Sequence, residues 1–333
     1  TEVPEGNQRI MRPVVFIPDR IAECGMERLR AECECIAPWA IGETLTPEVS
    51  QRALARADAI IVRLFSVRTE ELSLAPRLKV IAKHGVGVDN IDVAAATARR
   101  ILVVFTPTAN ANAVAEHTMA MILALARHIH PAAAALEAGR FQDRNLFEGV
   151  ELAGKTLGVV GVGRIGGRVA QIARHGFDMR VRGYDPCISP ADYRGPAELE
   201  PSLEKLLTES DFLTLHLPLN NETRHLLNSA RLSLLKPGCR VVNTSRGAVI
   251  DEVALATALR EKQITGAALD VFEQEPLPAG HILYSTPNLL LTPHISSSTR
   301  ESLDRMASDA AAGVLDVLSG RQPAYPINPE VQA

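Results

Sequence analysis

Short unbroken apolar runs alternate along this chain with longer stretches whose apolar positions recur at helical spacing. Pro13-Val14-Val15-Phe16-Ile17, Ala59-Ile60-Ile61-Val62, Leu78 to Ala82 and Ile101 to Val104 are such runs, each bounded by charge, Gly or Pro. They suit strands buried on both faces of a parallel sheet, which need no polar side. Ile21 to Cys33 and the alanine-rich Asp92 to Arg99 read as helices between them. A second series follows two helical stretches, Asn112 to His128 and Pro131 to Ala138. Its predicted strands are Leu157–Val160, Met179–Arg182, Phe212–Leu215, Arg240–Val242, Gly266–Leu269 and Leu289–Leu291, with helices such as Ile165 to His175 and Glu252 to Arg260 in between. A last helix, about Thr299 to Leu318, precedes a tail containing Pro323, Pro326 and Pro329. Strand and helix in repeated alternation imply parallel sheets with right-handed crossovers. The predicted fold class is α/β, with two doubly wound parallel-sheet domains and a small ligand expected in the cleft of such a pair.

Composition narrows the function. The chain has 333 residues, 46% hydrophobic and 22% charged, which fits two folded domains and excludes a disordered chain. With 39 acidic residues against 35 Lys+Arg, the net charge of −4 offers no basic face, so no nucleic-acid partner is expected. No apolar run approaches the roughly 18–20 residues of a membrane span; the longest lies near Met119–Ala126. The polar start, Thr1 to Ile10, lacks a secretory core, and Met11 reads as an alternative start. The cysteines are Cys24, Cys33, Cys35, Cys187 and Cys239, an odd and scattered set that makes no disulfide framework. Cys33-x-Cys35 has no matching pair, so no metal is expected and a reducing cytoplasm is the natural compartment.

The strongest local signal is Gly161-Val162-Gly163-Arg164-Ile165-Gly166, which follows the Leu157–Val160 run and opens a helical pattern. Gly161 permits the tight turn, Gly163 lets backbone approach a pyrophosphate, and Gly166 lets helix pack on strand. The helix N-terminus adds free N–H groups and a positive dipole end. Asp185, in Tyr184-Asp185, lies roughly 20 residues further on, the distance expected for the acid that bonds a ribose diol. A carboxylate there repels a 2′-phosphate, so the expected cofactor is NAD.

Three more segments place polar groups just past apolar strands: Asn243-Thr244-Ser245-Arg246-Gly247, Asp270-Val271-Phe272-Glu273-Gln274-Glu275-Pro276 and Thr292-Pro293-His294-Ile295-Ser296. Open α/β sheets bind ligands at such strand ends. An Arg, a carboxylate and a His converging there suit hydride transfer at a carbon bearing oxygen. The imidazole donates or takes the proton, the carboxylate raises its basicity and orients it, and the guanidinium grips a substrate carboxylate. Singly, each residue reads as well as an ordinary structural charge; together, in register with the glycine motif, they point to catalysis. His117, His128, His130, His175, His225 and His281 have no matched partner and are expected to be solvated or packed.

On these motifs the sequence resembles, over nearly all its length, the D-isomer-specific 2-hydroxyacid dehydrogenases. The resemblance implies Arg246 as substrate-binding arginine, Glu275 as carboxylate partner and His294 as acid/base. Beside the glycines, it implies cofactor contacts at Arg164, Ile165, Tyr184, Asp185, Pro186, His216, Pro218, Thr223, Thr244, Ser245, Asp270 and Ser297. Lys83-His84-Gly85-Val86-Gly87-Val88-Asp89-Asn90 resembles the family's substrate loop, where the N–H groups of Val86 and Gly87 would hold a carboxylate.

Asn90-Ile91-Asp92, Tyr184-Asp185-Pro186 and Pro326-Ile327-Asn328-Pro329 resemble most the phosphoglycerate dehydrogenase branch, and Glu275 speaks against the formate dehydrogenases, which carry Gln there. Arg63 stands where that branch binds the substrate's phosphate, while His84 and Val86 depart from its loop. The expected substrate is therefore a small, dianionic D-2-hydroxy acid or its 2-keto acid, phosphoglycerate-like, sulfolactate-like or hydroxypyruvate-like, with Arg63 and His84 beside its second anionic group. The chain stops near the end of the catalytic core, so the serine-sensing module of that branch is expected to be absent. The resemblance further implies a Rossmann nucleotide domain, residues 107–297, inserted into a flavodoxin-like substrate domain of 1–106 and 298–333. Hinges would lie near Thr106–Asn110 and Ser296–Thr299, and the helices around Asn112 to Ala138 would pair a homodimer. The competing reading is a regulatory NAD-binding adaptor like the family's corepressors, against which stands the lack of a long disordered tail.

Overall fold

A computed structural model describes residues 12–332; the candidate start at Met11 and the residues before it lie outside the described residues. The chain divides into two compact units, one formed by the segment up to Asn110 together with that from Arg300 onward, the other by Ala111–Thr299.

The first unit is built on five parallel strands, β1 (Val14–Phe16), β2 (Glu34–Ile36), β3 (Ala59–Val62), β4 (Val80–Lys83) and β5 (Leu102–Val104). They lie in the order β2-β1-β3-β4-β5, the flavodoxin-like arrangement. Every residue of β1, β3, β4 and β5 is buried, which is why each reads as an unbroken apolar run. The edge strand β2 carries Glu34-Cys35-Ile36 and is half open to solvent, so no such run marks it. The C-terminal helix Arg300–Leu318 returns to this unit and packs on helix Glu23–Glu32. The approach is so close that a Cβ on Gly25 would lie 2.8 Å from the Ala307 carbonyl oxygen, and it explains the alanines of that face.

The second unit has seven parallel strands: β6 (Thr156–Val160), β7 (Arg180–Tyr184), β8 (Glu198–Leu199), β9 (Phe212–Leu215), β10 (Arg240–Asn243), β11 (Gly266–Leu269) and β12 (Leu289–Leu291). Their order is β12-β11-β10-β9-β6-β7-β8, a Rossmann sheet with one added strand. Winding reverses between β6 and β9, and in such sheets the ligand crevice lies at the carboxyl ends beside that switch. The two-residue β8 has no hydrophobic signature in the sequence. No single helix among the described residues is long and apolar enough to cross a membrane, and no cluster of His, Cys, Asp or Glu among them could hold a metal.

Candidate active site

β6 delivers the chain into the glycine turn. Gly161 has φ +88°, donates its N–H to the Tyr184 carbonyl at 2.8 Å, and would set a Cβ 2.5 Å from the His216 carbonyl oxygen. A Cβ on Gly166 would lie 1.9 Å from the Gly161 carbonyl oxygen, so the helix seats directly on the turn. Gly163 differs. It begins helix Arg164–Phe177 without a side-chain cap, and a Cβ there would meet nothing within 4 Å. Internal packing thus explains two glycines, while the bare third leaves space at a helix N-terminus, where a pyrophosphate fits. Arg164 and Ile165 form the first turn above it. At the end of β7, Asp185 accepts the Val162 N–H at 3.2 Å and the Cys187 N–H at 3.0 Å across Pro186, fixing the turn from its acidic side.

Beyond β9, the His216 imidazole lies 3.0 Å from the Thr214 hydroxyl, and burial pushes its pKa down to about 3, so it is neutral. Thr223 donates to the Pro218 carbonyl at 2.7 Å and ties off the next turn. At the end of β10, the fully buried Asn243 organises the motif: its Oδ1 accepts the Ser245 N–H at 2.9 Å and hydroxyl at 2.8 Å, and its Nδ2 donates to the Arg246 carbonyl at 2.8 Å. Thr244 meets the Thr118 hydroxyl at 2.9 Å, and Arg246 donates from Nη1 to the Ser245 carbonyl at 2.7 Å. Asn243 stood inside the sequence motif but had no role assigned to it.

β11 and β12 bring the acid and the imidazole together. His294 Nδ1 lies 2.6 Å from Glu275 Oε2, and Glu275 Oε1 accepts the Phe272 N–H at 3.0 Å. Burial works to raise the Glu275 pKa. It is outweighed by the hydrogen bond and charge of His294, the Phe272 N–H and the Arg246 charge, which together hold the carboxyl below the usual range. Both side chains stay accessible, 41% for His294 and 35% for Glu275. His294 has φ 52°, a left-handed conformation uncommon for residues with a side chain. Asp270 holds it there. Wholly buried, its carboxylate accepts the Thr292 hydroxyl at 2.6 Å and the N–H groups of Ile295 at 2.9 Å and Ser296 at 2.8 Å. Ser297 follows, its carbonyl accepting the Thr299 N–H at 3.0 Å.

Three of the histidines expected to be solvated or packed meet side chains of distant segments. His117, on helix Ala111–Ala126, places Nε2 3.3 Å from the Thr292 hydroxyl and 3.7 Å from Asp270, on the wall of a cavity of about 500 Å³ that Ser296 and Ser298 also line. His225 pairs with Glu273 at 3.0 Å and His281 with Glu252 at 3.5 Å. Sequence spacing carries no trace of these meetings, because each joins distant segments.

In the first unit, Asp19 Oδ2 accepts the N–H groups of Arg63, Leu64 and Phe65 at 2.8 to 2.9 Å and shapes the turn after β3. After β4, Thr106 exchanges two hydrogen bonds with Gly85, 3.0 and 3.1 Å, pinning the loop that carries Val86 and Gly87. No backbone hydrogen bond among the described residues uses the N–H groups of those two. Lys83 donates to the Arg63 carbonyl and to Asn90, both at 2.7 Å. His84 is only 2% exposed with both ring nitrogens lacking a hydrogen-bond partner, and burial together with the Arg63 charge pushes its pKa down to about 4. At neutral pH the ring is therefore neutral, and it is enclosed.

The model of the D-isomer specific 2-hydroxyacid dehydrogenase NAD-binding domain matches residues 119–296. D-3-phosphoglycerate dehydrogenase of Mycobacterium leprae is 42% identical over 92% of this chain, which spans 57% of that protein. Glyoxylate reductase of Pyrococcus furiosus is 40% identical over 96% of this chain and 97% of its own length. Among solved structures, the NADPH-dependent glyoxylate/hydroxypyruvate reductase of Sinorhizobium meliloti superposes with a TM-score of 0.82 at 28% identity, covering 95% of this chain and 97% of that one. The relatives thus fall into more than one branch.

Proposed function

Because this chain belongs to the D-isomer specific 2-hydroxyacid dehydrogenase family, we propose that it interconverts a small D-2-hydroxy acid and its 2-keto acid. The observation that carries this reading is the 2.6 Å His294–Glu275 pair within the field of Arg246, at the carboxyl ends of strands in the sheet that holds the glycine turn. A bound nicotinamide supplies or accepts the hydride. Nδ1 of His294 is committed to Glu275, so Nε2 is the nitrogen that exchanges a proton with substrate. In reduction, His294 enters protonated and gives that proton to the carbonyl oxygen as C2 gains the hydride. In oxidation, neutral His294 takes the hydroxyl proton. Glu275, ionised throughout, stabilises the imidazolium, and Arg246 binds the substrate carboxylate and polarises the carbonyl. The Val86 and Gly87 N–H groups supply further donors to the substrate carboxylate.

Within this reading, Asp185 makes NAD the cofactor, because its carboxylate repels a 2′-phosphate, whereas the S. meliloti relative is NADPH-dependent. Arg63 is assigned to a second anionic group on the substrate. A homodimer suits the apolar side chains left exposed on 129–146, Ile129, Leu136, Phe141 and Leu146 at 54% to 75%. The test is NADH consumption with glyoxylate, hydroxypyruvate, pyruvate, phosphohydroxypyruvate and sulfopyruvate. Turnover of one or more supports the assignment; silence across all five, with NADH bound, turns it toward a regulatory adaptor.

A further inference from the structure

The first residues of β10 and β11, and those opening β12, surround a cavity of about 140 Å³ at the end of the sheet opposite the groups described above. Arg240, Asn288, His128, His130, Thr265 and Leu289 line it. Arg240 is 7% exposed. Its guanidinium stacks over the Phe212 ring at 5.5 Å and donates from Nη1 to the Gly238 carbonyl at 3.2 Å, with no carboxylate paired to it among the described residues. Two buried carboxylates, by contrast, are matched: Asp58 by Arg77 at 3.1 Å, Glu200 by Lys205 at 2.9 Å. A guanidinium carries five N–H donors, and burying it with one acceptor and no counter-charge is costly.

We propose that this cavity binds a small oxyanion, with the Arg240 guanidinium as its counter-charge. Its volume is several times the roughly 30 Å³ share of a water molecule, enough for a phosphate-sized group. Asn288 and the two imidazoles offer further donors, whereas the Thr265 hydroxyl proton is spent on the Pro237 carbonyl at 3.0 Å. The site is independent of the dinucleotide turn, which lies at the other end of the strands. The same oxyanion chemistry is available to a free ion or to a carboxylate of a second copy, and the proposal is the free ion.

The test uses enzyme saturated with NADH, so that the glycine turn is already filled, and titrates inorganic phosphate at constant ionic strength. Phosphate is expected to raise the Tm of the natural enzyme and to bind at one site per chain by calorimetry. Arg240→Met is expected to lose both effects while melting no lower than the natural enzyme without phosphate. An equal phosphate shift in both proteins, or none in the natural one, overturns the proposal. So does a natural enzyme blind to phosphate whose Arg240→Met variant loses dimer in sedimentation, because the partner is then a second copy. If Arg240→Met does not fold, the His128 and His130 proton resonances of the natural holoenzyme decide: phosphate-dependent shifts support the site, and fixed resonances refute it.

Discussion

Gly247 and Phe272 meet backbone to backbone: a Cβ on Gly247 would sit 1.9 Å from the Phe272 carbonyl carbon. This contact presses the loop bearing Arg246 against the loop bearing Glu275. Gly247→Ala must push the two apart. The expected result is a loss of about 1–3 kcal/mol of stability, as for other overpacked sites, read by denaturant unfolding. A fall in kcat/KM on the order of 100-fold should accompany it, because displacement by about 1 Å costs that much. Unchanged kinetics would show that the two loops need no mutual register.

Asp270 makes no proton transfer in this account. It fixes the His294 loop through the Thr292 hydroxyl and two N–H groups. Asp270→Asn sets an amide N–H₂ against one of these donors, so kcat should fall on the order of 100-fold. Steady-state kinetics with a 2-keto acid and NADH measures this, and an unchanged kcat would contradict the positioning role.

Acid stability follows from His84. Unfolded, the imidazole takes a proton near pH 6.5; folded, only near pH 4. The unfolded chain therefore binds more protons between those values, and stability falls as pH drops through that window. At about 1.4 kcal/mol per unit, the loss from this residue approaches about 3 kcal/mol by pH 4. His84→Met should make the Tm profile roughly half as steep over that range, leaving the comparable acid sensitivity of the neutral, buried His216, whose pKa is pushed down further, to about 3. A profile as steep as that of the natural enzyme would contradict this assignment.

Cofactor choice rests on charge at the end of β7. Asp185→Asn removes the charge and keeps an oxygen for one of the Val162 and Cys187 N–H groups, which bond to different carboxylate oxygens. NADPH should bind about tenfold more tightly, the effect of about 1.4 kcal/mol, and NADH somewhat less tightly. Fluorescence titration with both nucleotides measures the ratio.

Much of this was legible in the sequence for a physical reason. The strands β1, β3 to β5, β6 and β9 to β11 are buried along their length, so burial wrote them as apolar runs. The edge strands Glu34–Ile36 and Glu198–Leu199 bury too little to leave that mark. The glycine turn was legible because its constraints are local. Asp19 and the partners of His117 were not, because their work is done by hydrogen bonds between segments that meet only on folding. His84 shows the converse. Its motif position suggested a substrate contact, and only the packed loop reveals a neutral, enclosed ring.

The pairing of His294 with Glu275 is tested most directly by the pH dependence of kcat/KM for 2-keto acid reduction, in the natural enzyme and in Glu275→Gln. The reductive rate should fall at alkaline pH, where the proton needed at the carbonyl oxygen is no longer supplied. Removing the carboxylate 2.6 Å away should move that limb to lower pH, with a lower maximum. Superimposable limbs in the two proteins would contradict the pairing and the proton path built on it.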